Sequence, residues 1–353
     1  MKKSYKICMI VPQADVKGGI ASVVNGYHNS IMEKENQLYY IESYRDGNKI
    51  DKLLKAIKSY FKYMRVLCLY NPDLIHIHSS FGLSFYRKLP FIWIGNKCRI
   101  PIINHIHGSE FDKFYTNASN RKKALVVKVF AKCSQLIVLS EEWKNRLSEV
   151  MPKEKISIVE NYTEIQPIDL DKKKNQILYL GLINENKGCF DIPQIVKMVA
   201  ERINDFKFVL GGVGEIDSVK SQLKYLKVSH LVDFPGWVCD DEKARYLNES
   251  KIFFLPSYTE AMPMSILEAI GHGAVVVSTN VGGIPNVITT GVNGMLCKPG
   301  DINGFVEALI LLLNNNELRK DYAEKAFDVA KLKFTKEIHL EKILSLYRKI
   351  LND

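Results

Sequence analysis

The sequence predicts an α/β protein built from two doubly wound domains in tandem, on three observations. The chain has 353 residues, more than one core comfortably fills and enough for two domains of about 170 residues each. Short β-branched and aromatic runs alternate with longer stretches of helical periodicity, the pattern of buried parallel strands joined by crossover helices. A polar, lysine-bearing stretch near the middle interrupts that rhythm. One large α/β barrel is the competing architecture.

The runs YKICMIVP, DLIHIHSS, IPIINHIHG and SQLIVLS read as strands of the first half, and QILYLGL, FKFVLGG, KIFFLPS and AVVVST as strands of the second. The amino-terminal apolar run spans only about six residues, too short for a secretory core or a membrane span, and reads as the first buried strand. Residues 158–176, IVENYTEIQPIDLDKKKNQ, form the linker. The last segment places Ile338, Leu340, Ile343, Leu344, Tyr347 and Ile350 at mostly helical spacing, an amphipathic terminal helix. The expected division is a first domain over 1–165, a second over 166–333, and a helix over 334–353 that crosses back to the first. No short fixed period occurs, which argues against a solenoid.

Hydrophobic residues make up 46% of the chain and charged residues 25%, a globular rather than disordered balance. The seven cysteines are scattered and form no CxxC pair; reduced thiols in a cytoplasmic protein are the simplest reading. The net charge of +10 is unevenly placed: residues 1–165 hold 26 Lys and Arg against 15 Asp and Glu, the remainder 23 against 24. A basic half calls for an anionic partner, nucleic acid or membrane surface.

The stretch SYTEAMPMSILEAIGHGAVVVSTNVGGIP sets Glu260 and Glu268 around Pro263. Proline suits the first turn of a helix, so Glu260 stands before a helix start and Glu268 inside it. The helix N-H groups and Glu260 then face the carboxyl end of a strand, where open α/β sheets bind ligands. A glycosidase acid/base pair would set its carboxylates across a cleft rather than on one short element. A purely structural pair, a helix-start acid and a surface acid, is the plain alternative. VGGIPNVI reads as a glycine turn opening a second helix, so that two helix starts converge on a diphosphate, with Lys187 of GLINENKG as the positive point charge.

Taken in order, the glycine pair Gly18 and Gly19, the His107-Gly108 step, GLINENKG, GGVGE, the Glu260/Glu268 pair with Pro263, and VGGIPNVITTGVNG resemble glycosyltransferase family 4, the retaining GT-B transferases. The resemblance covers nearly the whole chain. It implies two Rossmann-like domains facing a central cleft, which close over a nucleotide-diphospho-sugar and pass the sugar to an acceptor hydroxyl with its anomeric configuration kept. Glu260, Lys187 and His107 would then be the catalytic residues: Glu260 facing the sugar, Lys187 neutralising the leaving diphosphate, and His107 near sugar and acceptor. The donor would be held by Gly18, Gly19, Lys187, the main chain of Ala261, Met262, Pro263, Met264 and Ser265, and by Glu268 at the ribose. The family uses helix dipoles and lysine where others use a metal, so no metal or other cofactor is expected. Two HIH triplets, His76/His78 and His105/His107, each lie on one strand face, and a four-histidine metal site is the reading set against that expectation. The sequence departs from the family at Leu182, where an arginine is usual, and at Ala261, where a glycine is usual.

Residues 49–68 carry Ile50, Leu53, Leu54, Ile57, Tyr60, Phe61, Met64 and Leu67 at helical spacing with Lys49, Lys52, Lys55, Lys58, Lys62 and Arg65 beside them. The oily stripe packs on the sheet in one reading, and the lysines meet anionic lipid in the other. Arg121, Lys122, Lys123, Lys128 and Lys132 add a second basic cluster. No nucleic-acid-binding motif accompanies them. The sequence therefore leads to a retaining glycosyltransferase using a UDP- or GDP-sugar and a saccharide or lipid-linked acceptor, in assembly of a bacterial surface polysaccharide. Its place would be the cytoplasm, peripheral at the inner face of the cell membrane. A sugar-nucleotide epimerase of the same architecture and a weakly catalytic nucleotide-sugar-binding subunit are the rivals. An NAD-dependent oxidoreductase ranks below them, because Gly212-Val213-Gly214 lacks a third glycine.

Overall fold

The computed structural model describes residues 4–352; the first three residues and the last lie outside the described ones. The chain divides into two compact units. One runs to Asn161 and resumes at Lys336; the other is Tyr162–Thr335. The division thus falls four residues ahead of the expected 165/166 step.

In the first unit β1 (Lys6–Val11) is followed by α1 (Gly19–Asn25), α2 (Ile31–Glu35) and β2 (Gln37–Glu42). Next come α3 (Lys49–Tyr70), β3 (Leu74–Ser79), α4 (Leu83–Lys97) and β4 (Ile102–Ile106). α5 (Phe111–Tyr115), α6 (Asn120–Phe130), β5 (Gln135–Val138), α7 (Glu141–Leu147) and β6 (Ile156–Ile158) complete its run to the boundary. The six strands are parallel in the order β2-β1-β3-β4-β5-β6. Helices cover both faces, so the inner strands are buried along their length, β3 and β4 at every position, although these two also carry the polar residues His76, His78, Asn104 and His105.

Side chains fix several helix starts. Asn48 accepts from the Asp51 N-H at the head of α3 (2.9 Å), and Ser140 from the Trp143 N-H at the head of α7 (3.4 Å), each satisfying one donor that the helix cannot. Along α3 the core takes Ala56, Ser59, Tyr63, Val66 and Leu67. Of the oily stripe only Leu67 is buried and Tyr60 half-buried; Ile50, Leu53, Leu54, Ile57, Phe61 and Met64 are all exposed. The helix is apolar on two faces, and the smaller, mixed one supplies the core contact.

The second unit comprises β7 (Lys174–Leu180), α8 (Ile192–Ala200), β8 (Lys207–Gly211), α9 (Ile216–Tyr225), β9 (Val232–Gly236) and α10 (Asp240–Glu249). β10 (Ser250–Leu255), α11 (Met264–Gly271), β11 (Val275–Thr279), β12 (Gly294–Cys297), α12 (Ile302–Asn314) and α13 (Asn316–Lys333) follow. Its parallel order is β12-β11-β10-β7-β8-β9, two three-strand halves meeting between β7 and β10. That junction is the topological switch point, where the connections leave in opposite directions and a crevice opens at the strands' carboxyl ends.

The lysine run assigned to the linker is not all solvated. Lys173 is buried, and its Nζ donates to the carbonyls of Leu247, Asn248 and Ser250 at 3.0 to 3.1 Å. It gathers the carbonyls left over where α10 ends and β10 begins.

α14 (Lys336–Ile350) belongs to the first unit and buries His339, Leu340, Ile343, Leu344, Leu346 and Tyr347. His76 on β3 shares a 2.6 Å hydrogen bond with the Tyr347 hydroxyl, and Tyr27 one of 2.9 Å with His339. Polar as well as apolar contacts therefore hold this helix in place.

Candidate active site at the switch point of the second unit

Lys187 follows β7 and Glu260 follows β10, so the two strands flanking the switch point each send one charged side chain to it. Lys187 Nζ donates to Glu260 Oε1 at 2.5 Å. The same oxygen accepts from the Ser257 hydroxyl at 2.7 Å, while Thr279 Oγ1 donates to the Ser257 carbonyl at 2.7 Å. Glu260 is nearly sealed, its side chain 7% exposed, whereas Lys187 is 26% exposed. A buried carboxylate is tolerated only when paired and hydrogen-bonded. The lysine is thus the partner open to solvent.

The Lys187 loop is held by its own backbone. The Asn184 side chain accepts from the Lys187 N-H at 3.1 Å, and the Tyr258 N-H donates to the Asn186 carbonyl at 2.8 Å. Gly188 has φ +71° and lies against Pro256, where a Cβ would come 2.2 Å from the carbonyl oxygen. Only glycine allows that turn and that approach together.

Pro263 stands directly before α11 with ψ 122°, outside the helix rather than in its first turn. The first N-H groups of α11 have no acceptor within the helix, and the partial positive charge of the helix start adds to that of Lys187. Ala261, Met262 and Pro263 are buried, and Met264 and Ser265 are half-buried. Glu268, one turn into α11, receives Lys243 Nζ from α10 at 2.8 Å.

The VGGIP turn plays another part than expected. It forms a single 3-10 turn over Ile284–Asn286, and the Gly283 N-H donates to the Ala261 carbonyl at 2.7 Å. Gly282, at φ +57°, abuts the Glu260 carbonyl, which a Cβ would meet at 1.8 Å. The turn is a buttress that fixes the Glu260–Ala261 main chain, not a second helix start aimed at a ligand.

Lys187, Glu260, Ala261 to Ser265 and Glu268 are therefore brought together in one unit. Gly18, Gly19 and His107 belong to the other. Gly18 caps α1 and Gly19 opens it, after the carboxyl end of β1; His107 follows the carboxyl end of β4. Ser257, Thr279 and Lys243 join the site without having been singled out by sequence. A serine three residues before the glutamate was visible in SYTE, but nothing in the pattern marks Lys243 on α10.

Among the described residues, His76, His78 and His105 are the group whose ligand atoms could share a metal ion, lying within 4.8 Å of one another. Their rings stack, with interplanar angles of 25° for His76–His78 and 10° for His76–His105. The third pair, His78–His105, is tilted at 35°, and no carboxylate accompanies the three in the group. Burial, followed by the charges of neighbouring histidines, pushes His76 and His107 down to about 3 and holds His78 and His105 well below the usual range.

Comparisons with known proteins identify the family and the fold. Residues 161–329 match the family model described as Glycosyl transferases group 1, and residues 25–166 match that of Glycosyltransferase Family 4. A 41.2 kDa protein in the cps region of Klebsiella pneumoniae is 24% identical, over 94% of this chain and 97% of its own. The UDP-Gal:alpha-D-GlcNAc-diphosphoundecaprenol alpha-1,3-galactosyltransferase of Escherichia coli is 26% identical, over 75% of this chain and 73% of its own. Among solved structures, sucrose-phosphate synthase from Thermosynechococcus elongatus gives a TM-score of 0.80 at 16% identity, covering 99% of this chain and all of that one. The two parallel six-stranded sheets with their helices are the GT-B fold.

Proposed function

We propose, from the premise that this chain belongs to the group 1 glycosyl transferases, that it is a retaining glycosyltransferase moving a hexosyl group from a nucleotide-diphospho-sugar to a saccharide or lipid-linked saccharide. The observation that carries the proposal is the Lys187–Glu260 pair across the switch point at the start of α11. A diphosphate entering there competes with Glu260 for the Lys187 ammonium. Once the lysine turns to phosphate, Glu260 is released to accept a hydrogen bond from a hydroxyl of the transferring sugar; we assign Glu268, which is paired with Lys243, to the ribose. Lys187 gains interaction as charge builds on the leaving diphosphate, which is stabilisation of the transition state rather than of the bound donor. With Lys187 and the helix start supplying positive charge, the reaction needs no metal or other cofactor.

Gly18, Gly19 and His107 stand at carboxyl ends of strands in the first unit, the edge where open sheets take ligands. We assign the glycines to the donor's phosphates and His107 to the sugar and acceptor. The relatives in a cps region and on a diphosphoundecaprenol-linked acceptor support a role in bacterial surface polysaccharide assembly, with UDP- or GDP-sugar as donor and the cytoplasmic face of the cell membrane as the place of work. The test is a thermal-shift series with UDP-, GDP-, ADP- and TDP-sugars in EDTA and again in magnesium. One nucleotide should raise the melting temperature equally in both, since a ligand of the folded state alone stabilises it. No shift with any of them would favour the weakly catalytic subunit.

Leu182 is the specific observation behind that second reading. Its side chain is 42% exposed, and its carbonyl accepts the Tyr179 hydroxyl at 2.6 Å. The loop is thus held through its main chain, and the side chain is free to change. Leu182→Arg should leave the melting temperature within about 1 °C and tighten donor binding roughly tenfold to a hundredfold, the worth of one charge-assisted hydrogen bond. Calorimetric titration with the stabilising sugar nucleotide reads it directly.

A further inference from the structure

We infer that α3 is a bilayer-docking helix: it lies in the interface of an anionic lipid membrane with its outward apolar stripe inserted among the acyl chains. This deepens the membrane side of the proposed function by naming the contact surface, and it stands on the first unit alone. The stripe consists of Ile50, Leu53, Leu54, Ile57, Phe61 and Met64, with Phe61 75% exposed and Ile50 69%. At 100° per residue these six fall within about 100° of arc on the helix surface, pointing away from the core face formed by Ala56, Tyr63, Val66 and Leu67. A helix of 22 residues is about 33 Å long. An apolar band of that reach on a soluble surface marks an interaction site rather than the ordinary scatter of exposed side chains.

Charge identifies the partner. Lys58, Lys62 and Arg65 border the stripe on its next face, all three exposed, and none pairs with an acidic group among the described residues, whereas Lys55 is held on Glu42 at 2.6 Å. They project beside the apolar band, as the basic edge of an interfacial helix does when its oily face is immersed and its cations meet headgroup phosphates. The half of the chain that carries them holds 26 basic against 15 acidic residues. Nucleic acid would satisfy the charge but leave Phe61 and Leu53 in water. A second copy of this face would bury the stripe but bring Lys58, Lys62 and Arg65 against their own counterparts across the two-fold axis. No described helix is long and apolar enough to cross a membrane, so contact of this kind is lateral.

Flotation of the full chain with vesicles tests the assignment, comparing pure phosphatidylcholine with a mixture containing phosphatidylglycerol. The wild type should float with the anionic vesicles, and added salt should weaken this without abolishing it. Leu54→Ser/Phe61→Ser and Lys58→Gln/Lys62→Gln should each lower the vesicle partition coefficient more than tenfold, since each basic residue alone accounts for roughly fivefold. Both variants alter exposed side chains, and both should keep the wild-type melting temperature and donor-induced thermal shift. Failure of the wild type to float, or flotation of both variants at the wild-type level, overturns the inference. So does a wild-type dimer in light scattering that Leu54→Ser/Phe61→Ser renders monomeric, which would make a second copy the occupant. In each case an intact donor-induced shift leaves the transfer reading standing.

Discussion

Lys187→Ala should lower kcat/KM for sugar transfer by about a hundredfold to a thousandfold, the loss seen when one preorganised charge or donor is taken from a developing anion. It should also destabilise the protein. Glu260, 7% exposed, would keep Ser257 as a hydrogen-bond donor but lose the ammonium 2.5 Å away. Removing one partner of a buried pair costs about 3 to 5 kcal/mol. The quarter-exposed lysine side of this pair puts the expectation at the lower end, a fall in melting temperature of roughly 10 °C. The two effects separate in the double variant Lys187→Ala/Glu260→Gln. Neutralising the Glu260 carboxylate should restore most of the melting temperature and none of the transfer rate. Recovery of both together would mean that the pair is structural and that the diphosphate is neutralised elsewhere.

Acid should unfold the first unit before the second. Five histidines sit inside it, His76, His78, His105, His107 and His339, each held below the usual imidazole range first by burial and then by neighbouring charge; His339 is brought down to about 4, His76 and His107 to about 3. His339 shows the neutral form required: its Nδ1-H donates to the Glu160 carbonyl at 2.6 Å, and its Nε2 accepts from Tyr27. His78 and His107 share one hydrogen bond at 2.9 Å, which one lone pair must accept. Lys88 and Lys342 face the cluster as further positive charge, and Tyr347 caps it from α14.

The sign follows from the depressed values. Near pH 6.5 the unfolded chain begins to bind protons that the folded unit refuses until about pH 4 and then pH 3. Stability is whole above pH 6.5 and is lost as the pH falls through that window, by roughly 1 kcal/mol per pH unit for each histidine. His76, His107 and His339 together draw on a substantial part of a typical domain stability of about 5 to 15 kcal/mol, and His78 and His105 act in the same direction. The second unit has only the exposed His230 and the buried His272. Hydrogen exchange at pH 4.5 should therefore deprotect β3 and β4 while β7 and β10 stay protected. Simultaneous exchange of all four strands would show that the imidazoles do not set the acid limit.

The legibility of the fold follows burial. The eight runs read as strands became β1, β3, β4, β5, β7, β8, β10 and β11, and the four strands missed, β2, β6, β9 and β12, are the edges of the two sheets. Edge strands are covered less, so they need not be apolar. QLYYIE, ISI, VDFPG and GMLC are largely half-buried, and their apolar stretches are four residues or fewer. α3 was ambiguous for a related reason: one reading lays its most hydrophobic face on the sheet, whereas the core takes Ala56, Ser59, Tyr63, Val66 and Leu67. At the site, Glu260, Lys187 and Glu268 were legible because ordered motifs mark them. Lys243 was not, since it arrives from a polar helix whose charges resemble any solvated surface. The buttress formed by Gly282 and Gly283 shows only in three dimensions, as carbonyl oxygens of Glu260 and Ala261 pressed where side chains would be.

The most direct test of the central claim is the anomeric configuration of the product. Wild-type protein and Glu260→Ala would be incubated in EDTA with the sugar nucleotide that stabilises the fold and a saccharide acceptor, and the new linkage read from its anomeric proton coupling. The account predicts transfer without metal, a product with the donor's anomeric configuration, and loss of transfer in Glu260→Ala. An inverted product, or undiminished transfer by Glu260→Ala, would contradict it.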